Sequence, residues 1–268
     1  MITAQHQRSP SQPVERLRSA SQDVATMLWR DTIRTIRQPE MLVFAVVMGV
    51  FFLVLFNYVF GGAIGAGAGV DYLQFLVPGV LVITALQGAQ QTSMGLAADL
   101  AEGVTDRLKS LPMSQVAVIA GRTLADATRN LVGLVLVMLL ALVMGYRFQS
   151  AVGAVAAIVL STAVGFGFSW LGAAIAAKIR QPDLVGMLSM FWLFPLMLAS
   201  TAFAPAESMP GWLRPFATHQ PVSVATNAVR GLCQGTASTG DLLGALAWTA
   251  GMLAVFGPLS IRIYTRKD

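Results

Sequence analysis

Long apolar runs constrain this chain more than any other feature of its sequence. A helix needs roughly 20 apolar residues to cross about 30 Å of hydrocarbon. Because no water is available there, the backbone must be hydrogen-bonded within helices or within a closed barrel. These runs are too continuous for the alternating strands of a barrel, so we predict an all-α integral membrane protein with six transmembrane helices. The predicted spans are residues 41–60, 72–98, 124–146, 151–177, 184–202 and 242–263.

Charge and cysteine content exclude several classes of protein. Only 12% of the residues are charged, about half the share of a soluble domain, which agrees with a chain surrounded by lipid. The single cysteine, Cys233, excludes an internal disulfide, and the only histidines, His6 and His219, are too few for a zinc site. We expect no metal. The net charge of +5 comes from basic residues at span ends, so we expect no nucleic-acid partner.

The residues before the first span divide into two parts. Residues 1–19 are polar and contain prolines, so we expect a flexible N-terminus. Residues 20–38 predict an amphipathic helix, with Trp29 and Ile33 on one side and Arg30, Arg34 and Arg37 on the other. Such a helix fits the membrane interface, where arginines meet anionic headgroups. The alternative is a soluble basic segment that only sets orientation. The six-span domain follows as residues 39–268.

The distribution of lysine and arginine predicts the orientation of the chain. Fifteen of the eighteen lie in the N-terminal segment, in residues 97–129, in residues 178–183 and in the C-terminal tail. The other three are Arg147, Arg214 and Arg230. Since basic loops remain in the cytoplasm, we predict that both termini and the two basic loops are cytoplasmic.

The longest polar interruption, residues 97–129, is the most informative loop. Within it, residues 98–111 predict a short amphipathic helix with Leu100, Val104 and Leu108 on one face, ended by Pro112. Such a helix can present charge to a soluble partner while its apolar side contacts the membrane domain. The alternative is a juxtamembrane loop whose charges are only hydrated.

Polar and aromatic residues elsewhere leave alternatives open. Polar residues in the inner half of the second span can hydrogen-bond neighbouring helices or line a translocation path; they are Gln87, Gln90, Gln91 and Ser93. Residues 204–241, named here the outer segment, are too apolar for an exposed loop and too rich in proline to span. They indicate either short helices that re-enter the outer leaflet or an amphipathic helix on the outer surface.

Several kinds of chemistry have no support in the sequence. It contains no G-x-x-x-x-G-K-[ST] motif, so ATP cannot bind through a P-loop of this chain. No nucleophile with a partner base is evident, so we predict that the chain is not an enzyme. Asp126 and Arg129 lie near the cytoplasmic start of the third span and can pair at i, i+3. No carboxylate lies near a span centre, which weighs against the alternative function, an ion-coupled carrier working alone.

The order of several short motifs resembles a known family. They are FLVPG at 75–79, EGVTDRLKSLPMS at 102–114, GRTLAD at 121–126 and SMPGWL at 208–213. Together they resemble the permease subunits of ABC-2 type transporters, in particular the daunorubicin/doxorubicin-resistance type of actinobacterial exporters. The resemblance covers nearly everything from about Trp29 to the end. It departs from the family at His219, where asparagine is frequent.

This resemblance implies a function and partners. Two permease copies, most simply identical, would form a pathway in the bacterial cytoplasmic membrane for a hydrophobic drug or lipid-like compound. Two separate ATPase subunits would bind below, and ATP and Mg²⁺ would be held by them and by no group of this chain. The loop between spans 2 and 3 would dock into the ATPase, with residues 178–183 as a second contact. The implied coupling residues are Asp99, Glu102, Asp106, Arg107, Lys109, Lys178 and Arg180.

The resemblance also assigns roles to apolar and aromatic residues. Spans 1 and 5 would meet their counterparts across the dimer axis, and the outer segment would act as the outer gate. For each aromatic residue the alternative is simple packing or contact with lipid. Residues that would line the pathway or the dimer interface are Phe51, Phe52, Gln87, Gln91, Phe191, Trp192 and Phe194. Residues of the outer gate would be Met209, Trp212 and Phe216.

Overall fold

The computed structural model describes residues 47–59, 71–102 and 115–266, the last range without the side chains of residues 115–122 and 264–266. Throughout these ranges the regular structure is helical. The predicted flexible N-terminus, the interfacial helix at 20–38 and most of the predicted helix at 98–111 lie outside the described residues.

The described residues contain eight α-helices. We number them α1 (Val47–Val59), α2 (Tyr72–Ala101), α3 (Gln115–Val143), α4 (Ala151–Ile179), α5 (Pro182–Leu198), α6 (Arg214–His219), α7 (Pro221–Gln234) and α8 (Thr239–Arg266). A single 3₁₀ turn, Ala206–Ser208, precedes α6.

Four of these helices are long and apolar enough to cross a membrane. They are α2, α4, the part of α3 from Thr123 to Val143 and the part of α8 from Thr239 to Ile263. At 1.5 Å per residue the 30 residues of α2 extend over about 45 Å. The apolar helices α1 and α5 are shorter in the described residues, and the 17 residues of α5 extend over about 26 Å.

The centre of the fold is the pair α2 and α4, which make the most extensive contact. Helix α2 is buried on all sides over its first half, from Leu73 through Leu86 with Phe75 and Gln74 as the less buried exceptions. Helix α4 supplies small residues to the contact, and a Cβ at Gly165 would lie 2.7 Å from the Ala85 carbonyl oxygen. Close approach of this kind is how helices associate where lipid is as apolar as the side chains.

The remaining helices surround this pair. Helices α3, α5 and α7 contact both α2 and α4, whereas α8 packs mainly on α4 and α7. A second buried cluster near the ends of α2 and α4 contains Leu96, Leu100, Trp170 and Val185. Because α7 packs directly on the central pair, the outer segment is an integral part of the bundle.

Capping residues stabilise the starts of α2 and α4, which agree with the predicted spans, whereas other helix ends differ from the expected ones. Asp71 caps α2 by accepting a hydrogen bond from the Leu73 N–H at 3.1 Å, and Ser150 caps α4 through the Gly153 N–H at 2.9 Å. Helix α2 continues to Ala101, so the first residues of the predicted helix at 98–111 belong to it. Helix α3 begins at Gln115, before the predicted span.

Candidate transport groove and coupling turns

The turn between α4 and α5 contains only two residues outside helix, Arg180 and Gln181. Arg180 ends α4 in a left-handed conformation (φ 55°), and its N–H donates to the Ala176 carbonyl oxygen at 2.9 Å. Glycine usually occupies such a position, because a Cβ makes it costly. Lys178 in the last turn of α4 and Asp183 in the first turn of α5 each have the sign that the helix dipole favours.

Two of the predicted coupling residues at the end of α2, Asp99 and Glu102, differ in their exposure. Asp99 is buried, with 8% of its surface exposed, and the neighbouring Leu100 packs in the cluster with Trp170. Glu102 caps the helix end and is exposed. Glu102 is therefore accessible to a partner protein, whereas the Asp99 carboxylate lies inside the bundle. Asp106, Arg107 and Lys109 lie outside the described residues.

An open groove of about 920 Å³ runs between α2 and α5. Helix α2 contributes Gln90 and Met94, and the Gln90 side-chain amide donates to the Gly186 carbonyl oxygen of α5 at 3.2 Å. Asp183 and Pro195 lie at its two ends. The wall from α5 is apolar and consists of Gly186, Met187, Met190, Phe191 and Phe194. The groove is therefore a large, mainly apolar concavity that opens to the surface between these two helices.

Some of the aromatic residues singled out from the sequence face the groove and others do not. Phe191 is 80% exposed and lines the groove together with Phe194. Trp192, between them in sequence, turns inward and stacks on Phe168 with ring centroids 5.8 Å apart. Helical phase explains the difference, because adjacent residues project about 100° apart.

Gln87 and Gln91 of α2 lie apart from the groove wall, and so do the aromatic residues of α1. Gln87 and Gln91 are half-buried on α2, and the glutamine that lines the groove is Gln90. On α1, Phe51 is exposed, whereas Phe52 packs near Phe203 with ring centroids 6.1 Å apart. A choice among three neighbouring glutamines needs the exact rotation of α2, which the sequence pattern does not supply.

The predicted gate residues lie on the exposed side of the outer segment. Trp212 is 80% exposed and Phe216 is 51% exposed, whereas Met209 is half-buried. Arg214 stabilises this part locally by donating to the carbonyl oxygens of Ala206 and Glu207 at 3.2 and 2.8 Å. Trp212 and Phe216 are therefore held on an ordered turn with their rings available to lipid or a ligand.

A buried polar cluster around Arg230 joins α7 to the beginning of α2. The guanidinium donates to the Phe75 and Thr201 carbonyl oxygens and to Asn227 Oδ1, and it lies 3.9 Å from the centroid of the Phe75 ring. Burial lowers the pKa of Arg230 to about 10, so the side chain stays charged at neutral pH. The charge distribution marked Arg230 as an exception, but the sequence did not predict this cluster, since none of the backbone partners of Arg230 has a residue-type signature.

The only cysteine of the chain lies next to this cluster. Cys233 is fully buried beside the Tyr146 hydroxyl, and its carbonyl oxygen accepts a hydrogen bond from the Gln149 N–H at 2.9 Å. Burial raises the pKa of the Cys233 thiol and also raises the pKa of the Tyr146 phenol. Both groups are therefore neutral at physiological pH, and the thiol is a packing group.

A small polar cavity lies where α2, α3 and α4 meet. Its walls include Thr92, Asp126, Asn130 and Ser169, and its volume of about 10 Å³ has room for one water molecule. The predicted pair of Asp126 and Arg129 is confirmed, with Oδ1 and Nη2 2.8 Å apart. This charge pair therefore belongs to the interface of three helices. Within residues 47–59, 71–102 and 123–263, no three His, Cys, Asp or Glu side chains are grouped so that they could hold a metal ion.

Comparison with known proteins gives a family match over most of the chain. Residues 22–233 match the family model described as ABC-2 type transporter. A daunorubicin resistance ABC transporter permease protein of Streptomyces coeruleorubidus, DrrB1, is 37% identical over 91% of this chain and 86% of its own length. A probable doxorubicin resistance ABC transporter permease protein of Mycobacterium tuberculosis, DrrC, is 29% identical over 81% of this chain and 79% of its own. A putative transport permease of Cyanophora paradoxa is 23% identical over 78% of this chain and 73% of its own length.

Proposed function

This chain is a permease of the ABC-2 type transporter family, and we propose that it exports a hydrophobic drug or lipid-like compound across the bacterial cytoplasmic membrane. Its relatives from Streptomyces coeruleorubidus and Mycobacterium tuberculosis are named for resistance to daunorubicin and doxorubicin. A pathway for compounds of that kind would need to accommodate a drug-sized molecule.

The groove between α2 and α5 is the observation that carries this proposal. Its volume of about 920 Å³ lies at the upper end of the range for pockets that bind drug-sized molecules. Phe191 and Phe194 offer ring faces, and Met187 and Met190 offer flexible, polarisable side chains that adapt to irregular shapes. Gln90 adds one polar group in an otherwise apolar wall.

A separate ATPase would supply the energy, since the sequence has no P-loop. We assign its main contact to Glu102, Asp106, Arg107 and Lys109, which follow α2, with Asp99 supporting the helix end from inside the bundle. A second contact would be made by Lys178 and Arg180 at the turn between α4 and α5. The left-handed Arg180 keeps this turn short, and strained residues often cluster at contact and switch regions.

The proposed membrane topology has six spans. The four long helices would be joined by α1 and α5, with both termini in the cytoplasm and the helix at 20–38 on the inner surface. The outer segment would re-enter the outer leaflet, since α7 packs on α2 and α4. Its Trp212 and Phe216 would then border the exit of the pathway.

A second copy of the chain would complete the pathway. Helix α5 exposes Met187 and Phe191, and α1 exposes Phe51 and Tyr58. These side chains are uncharged and would suit an interface with a second copy. A homodimer through α1 and α5 would bring the two grooves together around one axis. The partners would then be two permease copies, two ATPase subunits, the surrounding lipid and the transported compound.

Reconstitution in proteoliposomes tests the function. The chain is purified with its partner ATPase, and uptake of daunorubicin into inside-out vesicles is followed by fluorescence. We expect uptake that requires ATP and both proteins, with none when the ATPase carries an inactivating substitution of its P-loop lysine. Flux by this chain alone, driven by an ion gradient without ATP, would contradict the proposal and would support the alternative, an ion-coupled carrier.

A further inference from the structure

A proline in α2 interrupts the hydrogen bonding of this helix near its beginning. Pro78 has no N–H, so the carbonyl oxygen of Gln74, four residues earlier, lacks its usual donor within the helix. The Gln234 side-chain amide of α7 donates to this oxygen at 3.4 Å. One turn away on α7, Arg230 donates to the Phe75 carbonyl oxygen through Nη2 at 3.2 Å. Gln234 of α7 therefore supplies the donor that Pro78 lacks, and Arg230 adds a contact to the next carbonyl oxygen beside the break.

Arg230 also reaches the chain that follows α5. Its Nη2 donates to the Thr201 carbonyl oxygen at 2.9 Å, and its Nη1 donates to Asn227 Oδ1 at 2.9 Å. The planar guanidinium thus contacts α2, α7 and the connection after α5 at the same time. Lysine carries the same charge but lacks the fork of donors that these separate acceptors need.

Further contacts hold the same three parts together. The Tyr72 hydroxyl donates to the Phe203 carbonyl oxygen at 2.9 Å, and a Cβ at Gly79 would collide with the backbone of Ala202. On the other side, the Thr201 N–H donates to Ser223 Oγ at 3.0 Å. The start of α2, the connection after α5 and α7 therefore behave as one joined unit, with Arg230 at its centre.

Helix α2 connects this unit to the rest of the proposed mechanism. It extends over about 45 Å, lines the groove through Gln90 and Met94, and ends at Glu102 beside the predicted coupling loop. A displacement of α2 caused by the ATPase would reach the outer segment directly through contacts at the start of the helix. Those contacts are centred on Arg230 and the proline break.

We propose that Arg230 is a positioning residue of the transport cycle that fastens the outer segment to the proline break of α2, so that movement of α2 is transmitted to the exit. The inference rests on the proposed function. Loss of the fastening leaves the ATPase contact intact, because Arg230 lies at the opposite end of α2. ATP hydrolysis then continues while transport per ATP declines.

The experiment compares R230K and R230M with wild type in proteoliposomes that contain the partner ATPase. We expect ATP hydrolysis near the wild-type rate and a decrease of roughly tenfold in daunorubicin transported per ATP, the effect of losing a hydrogen bond to a charged group. The matched control is R147K, since the Arg147 side chain is exposed and its hydrogen bond to Gln74 is made by its backbone N–H. We expect R147K to retain the wild-type ratio.

Folding is checked separately. Cys233 lies within one turn of Arg230 and is buried, so maleimide labelling of this thiol reports local opening in each variant. If R230M does not fold, R230K decides the question. An unchanged transport-to-ATP ratio in folded R230K overturns the role of Arg230. Absence of ATP-dependent uptake by wild type instead contradicts the proposed function itself.

Discussion

The Asn130 side-chain amide of α3 donates a hydrogen bond of 2.9 Å to the Ala85 carbonyl oxygen of α2. Its side chain fits between Gly88 of α2 and Gly165 of α4, where a Cβ on either glycine would lie less than 3 Å from it. One polar side chain therefore fixes the junction of three helices, beside the small cavity that Asp126 lines.

Substitution of the glycines at this junction should destabilise the bundle. In Gly165→Ala the new methyl group meets the Ala85 carbonyl oxygen and Asn130 Nδ2, both of which are held in place by their mutual hydrogen bond. We expect a loss of about 1–3 kcal/mol in the free energy of unfolding, the usual cost of overpacking. Thermal unfolding in detergent measures it. Gly133→Ala is the control, because a Cβ there meets nothing within 4 Å, and an equal loss in both variants would contradict the prediction.

Charge reversal at the predicted coupling loop should disconnect the permease from its ATPase. For the double variant E102K/D106K we expect transport and permease-dependent ATP hydrolysis to decrease together, by more than roughly tenfold, because like charges at an interface cost several kcal/mol. Co-purification of the two proteins should weaken. The control is Glu207→Lys, because Glu207 is an exposed acidic residue of the outer segment. This variant should leave transport, ATP hydrolysis and co-purification unchanged. Normal coupling in the double variant would exclude this loop as the main contact.

Removal of a ring from the groove should weaken substrate binding. We expect Phe191→Ala to raise the KM for transport roughly fivefold, since an aromatic contact contributes about 1 kcal/mol. Trp248→Ala removes a large exposed ring from α8, away from the groove, and should leave KM unchanged. Transport kinetics with a concentration series of daunorubicin distinguish the two. Equal effects at both positions would indicate that the loss is general destabilisation.

The native thiol should be unreactive in the folded protein. Cys233 is 0% exposed, and burial raises the pKa of its thiol, so the reactive thiolate is scarce at neutral pH. We expect maleimide to label it only after denaturation, as measured by mass spectrometry. In a Cys233→Ala background, Val152→Cys, whose native side chain is 79% exposed, should react readily without denaturant. Rapid labelling of native Cys233 would show that α7 opens in solution.

A homodimer through α5 makes a further prediction. In the Cys233→Ala background, Phe191→Cys in membranes should form a disulfide between two copies on mild oxidation, because position 191 would face its counterpart across the dimer axis. Val152→Cys, at a similarly exposed position of α4, should stay monomeric on a non-reducing gel. Cross-linking at 152 and none at 191 would place the interface on another face.

Features that depend on local chemistry were accessible from the sequence. The apolar runs predicted an all-helical membrane protein, and the i, i+3 spacing predicted the pair of Asp126 and Arg129. The order of motifs indicated the family, which the match over residues 22–233 confirmed. Each of these follows from the composition or spacing of a single segment. The coupling residues, the gate and the identity of the exported compound stay predictions.

Features that depend on the rotation of one helix against another were not accessible. The sequence indicated Gln87, Gln90 and Gln91 without a means to choose among them, and the structure places Gln90 in the groove. Of three neighbouring aromatic residues, Trp192 turns inward. A rotation of about 100° per residue decides such choices, and a nearly uniformly apolar helix has no polar face that would reveal it.

The sequence by itself determined that this chain is helical and lies in a membrane, because lipid requires long apolar helices whatever their arrangement. Its motifs indicated the transporter family by resemblance. Only the tertiary structure decided that Arg230 contacts the Phe75 carbonyl oxygen, 155 residues away, and that Asn130 contacts the Ala85 carbonyl oxygen. Every residue type has a backbone carbonyl, so these acceptors are invisible in a sequence. Whether a distant side chain reaches them depends on where small residues let two helices approach.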